Sequence, residues 1–159
     1  MRSEGDQRAI NALMDEYAIA LDMLYAEIKA LSPEQLSKVL DDKTEDPDCR
    51  SIQTILQHVL QSGYGYVVEI DNYAGGSSKR AEYPIYGSSE KFIAELKKMQ
   101  KHNQQFFADN PQIPLYEKDN DKKLLTRWGQ SFDVDQLLEH AVMHVHRHRR
   151  QIVNFKKLL

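Results

Sequence analysis

Apolar residues recur at intervals of three and four along four separate stretches of this chain, and that periodicity narrows what it can fold into. The first stretch runs from about Gln7 to Leu31, with Ile10, Leu13, Met14, Tyr17, Leu21, Leu24 and Ile28 on one stripe. It ends at Ser32-Pro33-Glu34-Gln35, where a serine cap with proline in the first turn predicts a short helix to about Leu40. Asp41 to Asp48 reads as an exposed acidic loop. The second stretch starts at Ser51, a good N-cap, and carries Ile52, Ile55, Leu56, Val59 and Val67 towards Tyr73, where Gly75-Gly76-Ser77-Ser78 stops it. Ser88 or Ser89 caps a third helix to about Ala108, closed by Asn110-Pro111. Pro111 to Phe132 is a charged, irregular connection with one extended piece at Leu124 to Trp128. Asp133 with Gln136 three residues on resembles a capping box for the fourth helix, which runs nearly to the C-terminus.

Four amphipathic helices without a long strand predict an all-α chain built as a four-helix bundle, one domain over residues 1–159. The connection lengths allow more than one winding order. No repeat, low-complexity tract or linker interrupts the pattern. A net charge of −3 leaves no basic excess to displace counterions from nucleic acid, so a nucleic-acid partner is not expected. The single cysteine, Cys49, excludes an intrachain disulfide and a cysteine-rich zinc site. The N-terminus is polar, and no run approaches the roughly 20 apolar residues of a membrane span, so a cytoplasmic protein with no membrane partner is expected.

The fourth helix carries the chemistry. His140, His144, His146 and His148 are four of the six histidines, held within nine positions. With His148 at zero on a helical wheel, Leu137, Ala141, Ile152, Phe155 and Leu159 fall within roughly 40° of it, and His144 lies about 40° to the other side. His144 and His148 therefore share the inward stripe one turn apart, His140 is at its edge, and His146 points away towards water. One inward histidine is ordinarily a core residue bonded to a carbonyl. Two, one turn apart on an apolar face, are hard to satisfy that way and point to a metal. Outside the cluster only His58 and His102 remain. His102 stands among Lys98, Lys101 and Gln104 and reads as surface. His58 lies about 60° from Ile55, on the flank of its stripe, beside the small residues Ser51, Ser62 and Gly65. His58 is the better third ligand, and helical angle alone leaves His140 open as a substitute.

The stretch Glu139-His140-Ala-Val-Met-His144-Val-His-Arg147-His148-Arg149-Arg150-Gln151 resembles the His-xxx-His-Arg-x-Gln signature of the DinB/YfiT-like family. Thr126-Arg127-Trp128-Gly129-Gln130 is similar to the approach to that signature in a bacterial branch of the group, and Ser51-Ile52 through His58 resembles its second-helix element. The resemblance spans most of the chain. It implies an up-down-down-up four-helix bundle, usually a homodimer, in which His58, His144 and His148 hold a divalent metal, zinc or nickel. Arg150 departs from the glycine that many members carry there.

Three functions follow. The resemblance implies a transferase in which the metal activates a low-molecular-weight thiol for delivery to a small electrophilic substrate, with Arg147 or Arg149 available to hold carboxylates. A metal-dependent hydrolase is the second, although Val145 follows His144 where a zincin has its glutamate, and Gln151 cannot titrate. The third is a non-catalytic dimeric binding module, in which Tyr64, Tyr66, Tyr73, Tyr83 and Tyr86 serve as packing or interface residues. Cys49 reads as an incidental thiol.

Overall fold

The computed structural model describes residues 2–159. It is mostly helical: α1 (Glu4–Ile28), α2 (Pro33–Ser37), α3 (Ile52–Tyr73), α4 (Ser89–Asp109) and α5 (Val134–Lys156), with two short strands, β1 (Leu124–Leu125) and β2 (Ser131–Phe132).

The helix starts follow from cap chemistry. Ser3, Ser32, Ser51 and Ser88 each accept a hydrogen bond from a backbone N–H in the first turn of α1 to α4, satisfying a donor that has no partner inside the helix. Ser88 is thus the cap of α4. Ser89 is buried instead and donates its hydroxyl to the carbonyl of Leu31, tying α4 to the turn between α1 and α2. At α5 the backbone N–H of Asp133 donates to Oε1 of Gln136 at 2.9 Å. The Asp133 carboxylate is engaged elsewhere, accepting from Glu117 N–H and from Lys123 Nζ, both at 2.9 Å, so it pins the irregular segment to the head of α5. These donors hold its pKa below the usual carboxylate range, Lys123 first.

Three boundaries differ from the periodicity. The first helix stops at Ile28, not Leu31. The helix α2 is a single short turn, because Lys38 leaves helical backbone at ψ 123°, and does not reach Leu40. The extended piece at Leu124 to Trp128 is a strand only at Leu124–Leu125, which pairs antiparallel with Ser131–Phe132 across a five-residue turn. In that turn Gly129 adopts φ +86°, the left-handed region open to glycine, and the buried Thr126 both donates to and accepts from Gln130.

One cluster of buried residues runs through all four long helices. α1 packs against α4 and α5, and α3 packs against the same two. Lys156 Nζ donates to Glu27 Oε2 at 2.9 Å, and Arg2 N–H donates to the Pro111 carbonyl at 2.7 Å. Asn103 Nδ2 donates to the Gly63 carbonyl at 3.0 Å. Leu13 is only half-buried, and Leu159 is exposed because α5 ends at Lys156. None of the helices among the described residues is long and apolar enough to cross a membrane.

Candidate metal centre

The apolar stripe of α5 places His144 and His148 in the interior, 6% and 3% exposed. Facing them, α3 brings His58 off the flank of its own stripe, where it remains partly exposed. The three rings converge. His58 Nε2 lies 2.9 Å from His144 Nε2, and His148 Nε2 lies 3.2 Å from the same atom.

The outer nitrogens explain why the inner ones meet. Nδ1 of His58 lies 3.0 Å from Oδ2 of Asp48, and Nδ1 of His148 lies 3.1 Å from Oε1 of Gln151. A carboxylate and an amide oxygen only accept, so both Nδ1 atoms carry the proton and both Nε2 atoms present lone pairs. His144 Nε2 can donate to one of those lone pairs at most. The arrangement therefore places unshared acceptors against one another in a buried space, which costs free energy unless a cation sits among them. The three candidate ligand atoms lie within 4.8 Å of one another, the span of a single coordination sphere. An imidazole whose far nitrogen is held by an oxygen acceptor is the usual form of a metal-binding histidine.

Charge agrees with this reading. Burial, then the neighbouring imidazoles and Arg147, holds His144 down to about 2 and, with His58 the leading neighbour, His148 down to about 4, from an ordinary 6.5. Both rings are neutral at physiological pH, as a metal ligand must be.

The remaining residues divide. His140 does not join the converging nitrogens: its ring stacks against His144 at 6.2 Å between centroids and packs among aromatic rings, 5.7 Å from Trp128, 5.7 Å from Phe132 and 5.8 Å from Tyr66. His146 is half-buried rather than open to water, and His102 is exposed against Tyr64. Arg149 lies 3.6 Å from Glu27 and so ties α5 to α1. Asp48 was legible only as the end of an acidic loop, yet it is the residue that orients His58. Cys49 lines a cavity of about 550 Å³ with His58, His148, Arg147, Arg150 and Gln151. Burial pushes its thiol pKa up, which leaves it a poor nucleophile. A second cavity of about 510 Å³ borders His58 on the other side, between α3 and the segment that follows it.

The sequence model of the DinB family matches residues 8–159. The chain belongs to the DinB family. No curated protein and no solved structure matches it significantly. In this DinB chain the two last residues of the His-xxx-His-Arg-x-Gln stretch have separate tasks: Arg149 joins two helices, and Gln151 sets the tautomer of His148.

Proposed function

We propose that this protein is a metal-dependent transferase in which His58, His144 and His148 hold one divalent ion, zinc or nickel, that activates a small thiol for transfer to an electrophile. The observation that carries the reading is the convergence of three Nε2 atoms, two of them left with a free lone pair because Asp48 and Gln151 hold the ring proton on Nδ1. Three protein ligands leave a coordination position for a further ligand. When bound, the ion lowers the pKa of a thiol in its shell and makes the sulfur nucleophilic near neutral pH.

The chain's own side chains favour thiol transfer over hydrolysis. Hydrolysis by a metal-held water ordinarily needs a nearby group to take and return a proton. Asp48 has its Oδ2 already bonded to His58, and Asp46, which lines the cavity beside His148, already accepts from Asp48 N–H and from the Cys49 thiol. Gln151 does not titrate, and burial raises the pKa of Tyr66, whose ring centroid lies 6.0 Å from that of His144. A thiol that loses its proton to solvent when bound makes no such demand.

The reading extends to the whole chain: one domain with an up-down-down-up winding that works as a homodimer. Support for the winding comes from paired contacts. The end of α1 meets the end of α5 through Glu27 and Lys156, whereas His58 and Tyr66 of α3 meet His148 and His140 of α5 in reverse order. Along α3 and α4 the order is the same, with Gln53 bonded to Tyr86 just before α4 and Gly63 to Asn103 further on.

The test is elemental analysis of untagged, dialysed protein by plasma mass spectrometry, followed by a thiol-addition assay with aryl halides and epoxides. Close to one zinc or nickel per chain, and thiol addition that stops on chelation, is the expected result. Metal-free protein with no thermal shift on adding zinc or nickel would overturn it in favour of a binding module.

A further inference from the structure

Four arginines surround the mouth of the histidine cluster, and none is ion-paired among the described residues. Arg147 and Arg150 come from α5, Arg80 from the segment after α3, and Arg127 from the hairpin turn. Three carboxylates, Asp46, Asp48 and Glu82, line the same two cavities, so on a chain of net charge −3 the arginines leave a local excess of one positive charge. Arg80 and Arg127 are the pair with a built setting. Both line the 510 Å³ cavity that His58 borders, together with Gln57, Gln61 and Ser62 and two carboxylates, Glu82 and the Asp48 already bonded to His58.

Arg80 is held there by the fold. Asp71 accepts from Ser78 N–H and Asn72 Nδ2 donates to the Ser78 carbonyl, which anchors the chain just before it. Beyond it, Gln57 donates to the Tyr83 carbonyl, Gln53 donates to the Tyr86 carbonyl, and Tyr83 stacks on Tyr64 at 4.7 Å. The guanidinium of Arg80 then lies directly over Gly65, in the space a Cβ would fill. Arg127 is presented by the tight Thr126–Gln130 turn, whose neighbour Trp128 stacks on His140. Both side chains face this one cavity, and the positive charge of Arg127 adds to burial in lowering the pKa of Arg80. Glu69 only partly offsets this. Two like charges held together beside a cavity are unfavourable until an anion lies between them. Guanidinium groups match a carboxylate in shape as well as charge.

We propose that Arg80 and Arg127 form a carboxylate seat beside His58, which holds the anionic end of the small thiol whose sulfur reaches the histidine cluster. This deepens the thiol-transfer reading and rests on it. It also assigns a task to Arg127 and Gly129 of the Thr-Arg-Trp-Gly-Gln stretch, and gives Gly65 a reason to lack a side chain.

The test is isothermal titration calorimetry of the zinc-loaded full chain with N-acetylcysteine and with its methyl ester, which lacks the carboxylate. Wild type is expected to bind the acid about 10-fold more tightly, as a charge-assisted pair implies. Arg80→Met and Arg127→Met should erase that preference while keeping zinc content, ester affinity and circular dichroism. Arg8→Met, which changes net charge equally on the remote start of α1, should retain it. A preference that survives in both site variants, or is absent from wild type, overturns the seat. Thermal shifts of the metal-free protein with succinate test the seat without metal or thiol: a shift lost in Arg127→Met supports it, and no shift in wild type counts against it. A larger shift with inorganic phosphate than with succinate would overturn the carboxylate assignment. Failure of zinc or ester binding in every protein, with the succinate shift intact, would remove the thiol reading alone.

Discussion

Nδ1 of His58 lies 3.0 Å from Oδ2 of Asp48, ten residues earlier and outside the helix that carries the ring. The carboxylate keeps the proton on Nδ1 and so leaves the lone pair on Nε2, the atom turned towards His144. Removing it leaves His58 in place with its tautomer and angle unset. Asp48→Ala is expected to weaken zinc affinity by about 10- to 100-fold, read by chelator competition, with little change in circular dichroism. Unchanged affinity would mean that His58 is not a ligand or needs no orienting partner.

The histidines should separate by position. His58→Ala, His144→Ala and His148→Ala are each expected to lose most of the bound metal in plasma mass spectrometry, because each removes one of three converging nitrogens. His140→Ala and His146→Ala should retain it. Metal kept by His58→Ala but lost by His140→Ala would move the third ligand into the Trp128 aromatic cluster.

Acid should destabilise the metal-free protein well before its carboxylates titrate. His144 and His148 are held down to about 2 and about 4, against 6.5 in an unfolded chain. Below 6.5 the unfolded chain takes up protons that the folded chain refuses, so stability falls as pH falls. Both rings contribute between 6.5 and about 4, and His144 alone below that. The Tm of metal-free protein, measured from pH 8 to pH 5, is expected to drop once the pH passes 6.5, and His148→Phe should make the drop shallower. A flat profile would contradict the neutral, buried state of these rings.

Gly63 offers a stability test in which two effects oppose. Alanine in mid-helix ordinarily gains about 1 kcal/mol over glycine. Here the added Cβ would collide with Sδ and Cε of Met99 and with the Tyr17 hydroxyl, all buried where α1, α3 and α4 meet. Overpacking of a filled core costs about 1–3 kcal/mol. The clash is expected to win, so Gly63→Ala should lower the midpoint of urea denaturation. A raised midpoint would mean that Met99 swings aside at no cost.

The helices and their inward faces were determined by the sequence itself. Apolar spacing and cap residues are local properties, so α3, α4 and α5 begin behind Ser51, Ser88 and Asp133 as expected, whereas α1 starts at Glu4 behind Ser3, about a turn before the expected Gln7. Two of the three converging histidines were also legible, because His144 and His148 are one turn apart on a stripe that the core must cover. His58 was not decided in that way. A residue on the flank of its stripe joins a site only if another helix packs at the right angle and height, and no local spacing encodes that. The same holds for Asp48, whose loop composition reads as exposed, and for Gln151, whose amide has no assigned partner until His148 is placed. The strand β1 falls inside the extended piece expected at Leu124 to Trp128, but its pairing with Ser131–Phe132 was not legible, because two-residue strands carry no period of their own. Arg80 and Arg127, 47 positions apart in the chain, were indistinguishable from surface charge. Only the tertiary fold, laying one over Gly65 and carrying the other in on a tight turn, made them neighbours.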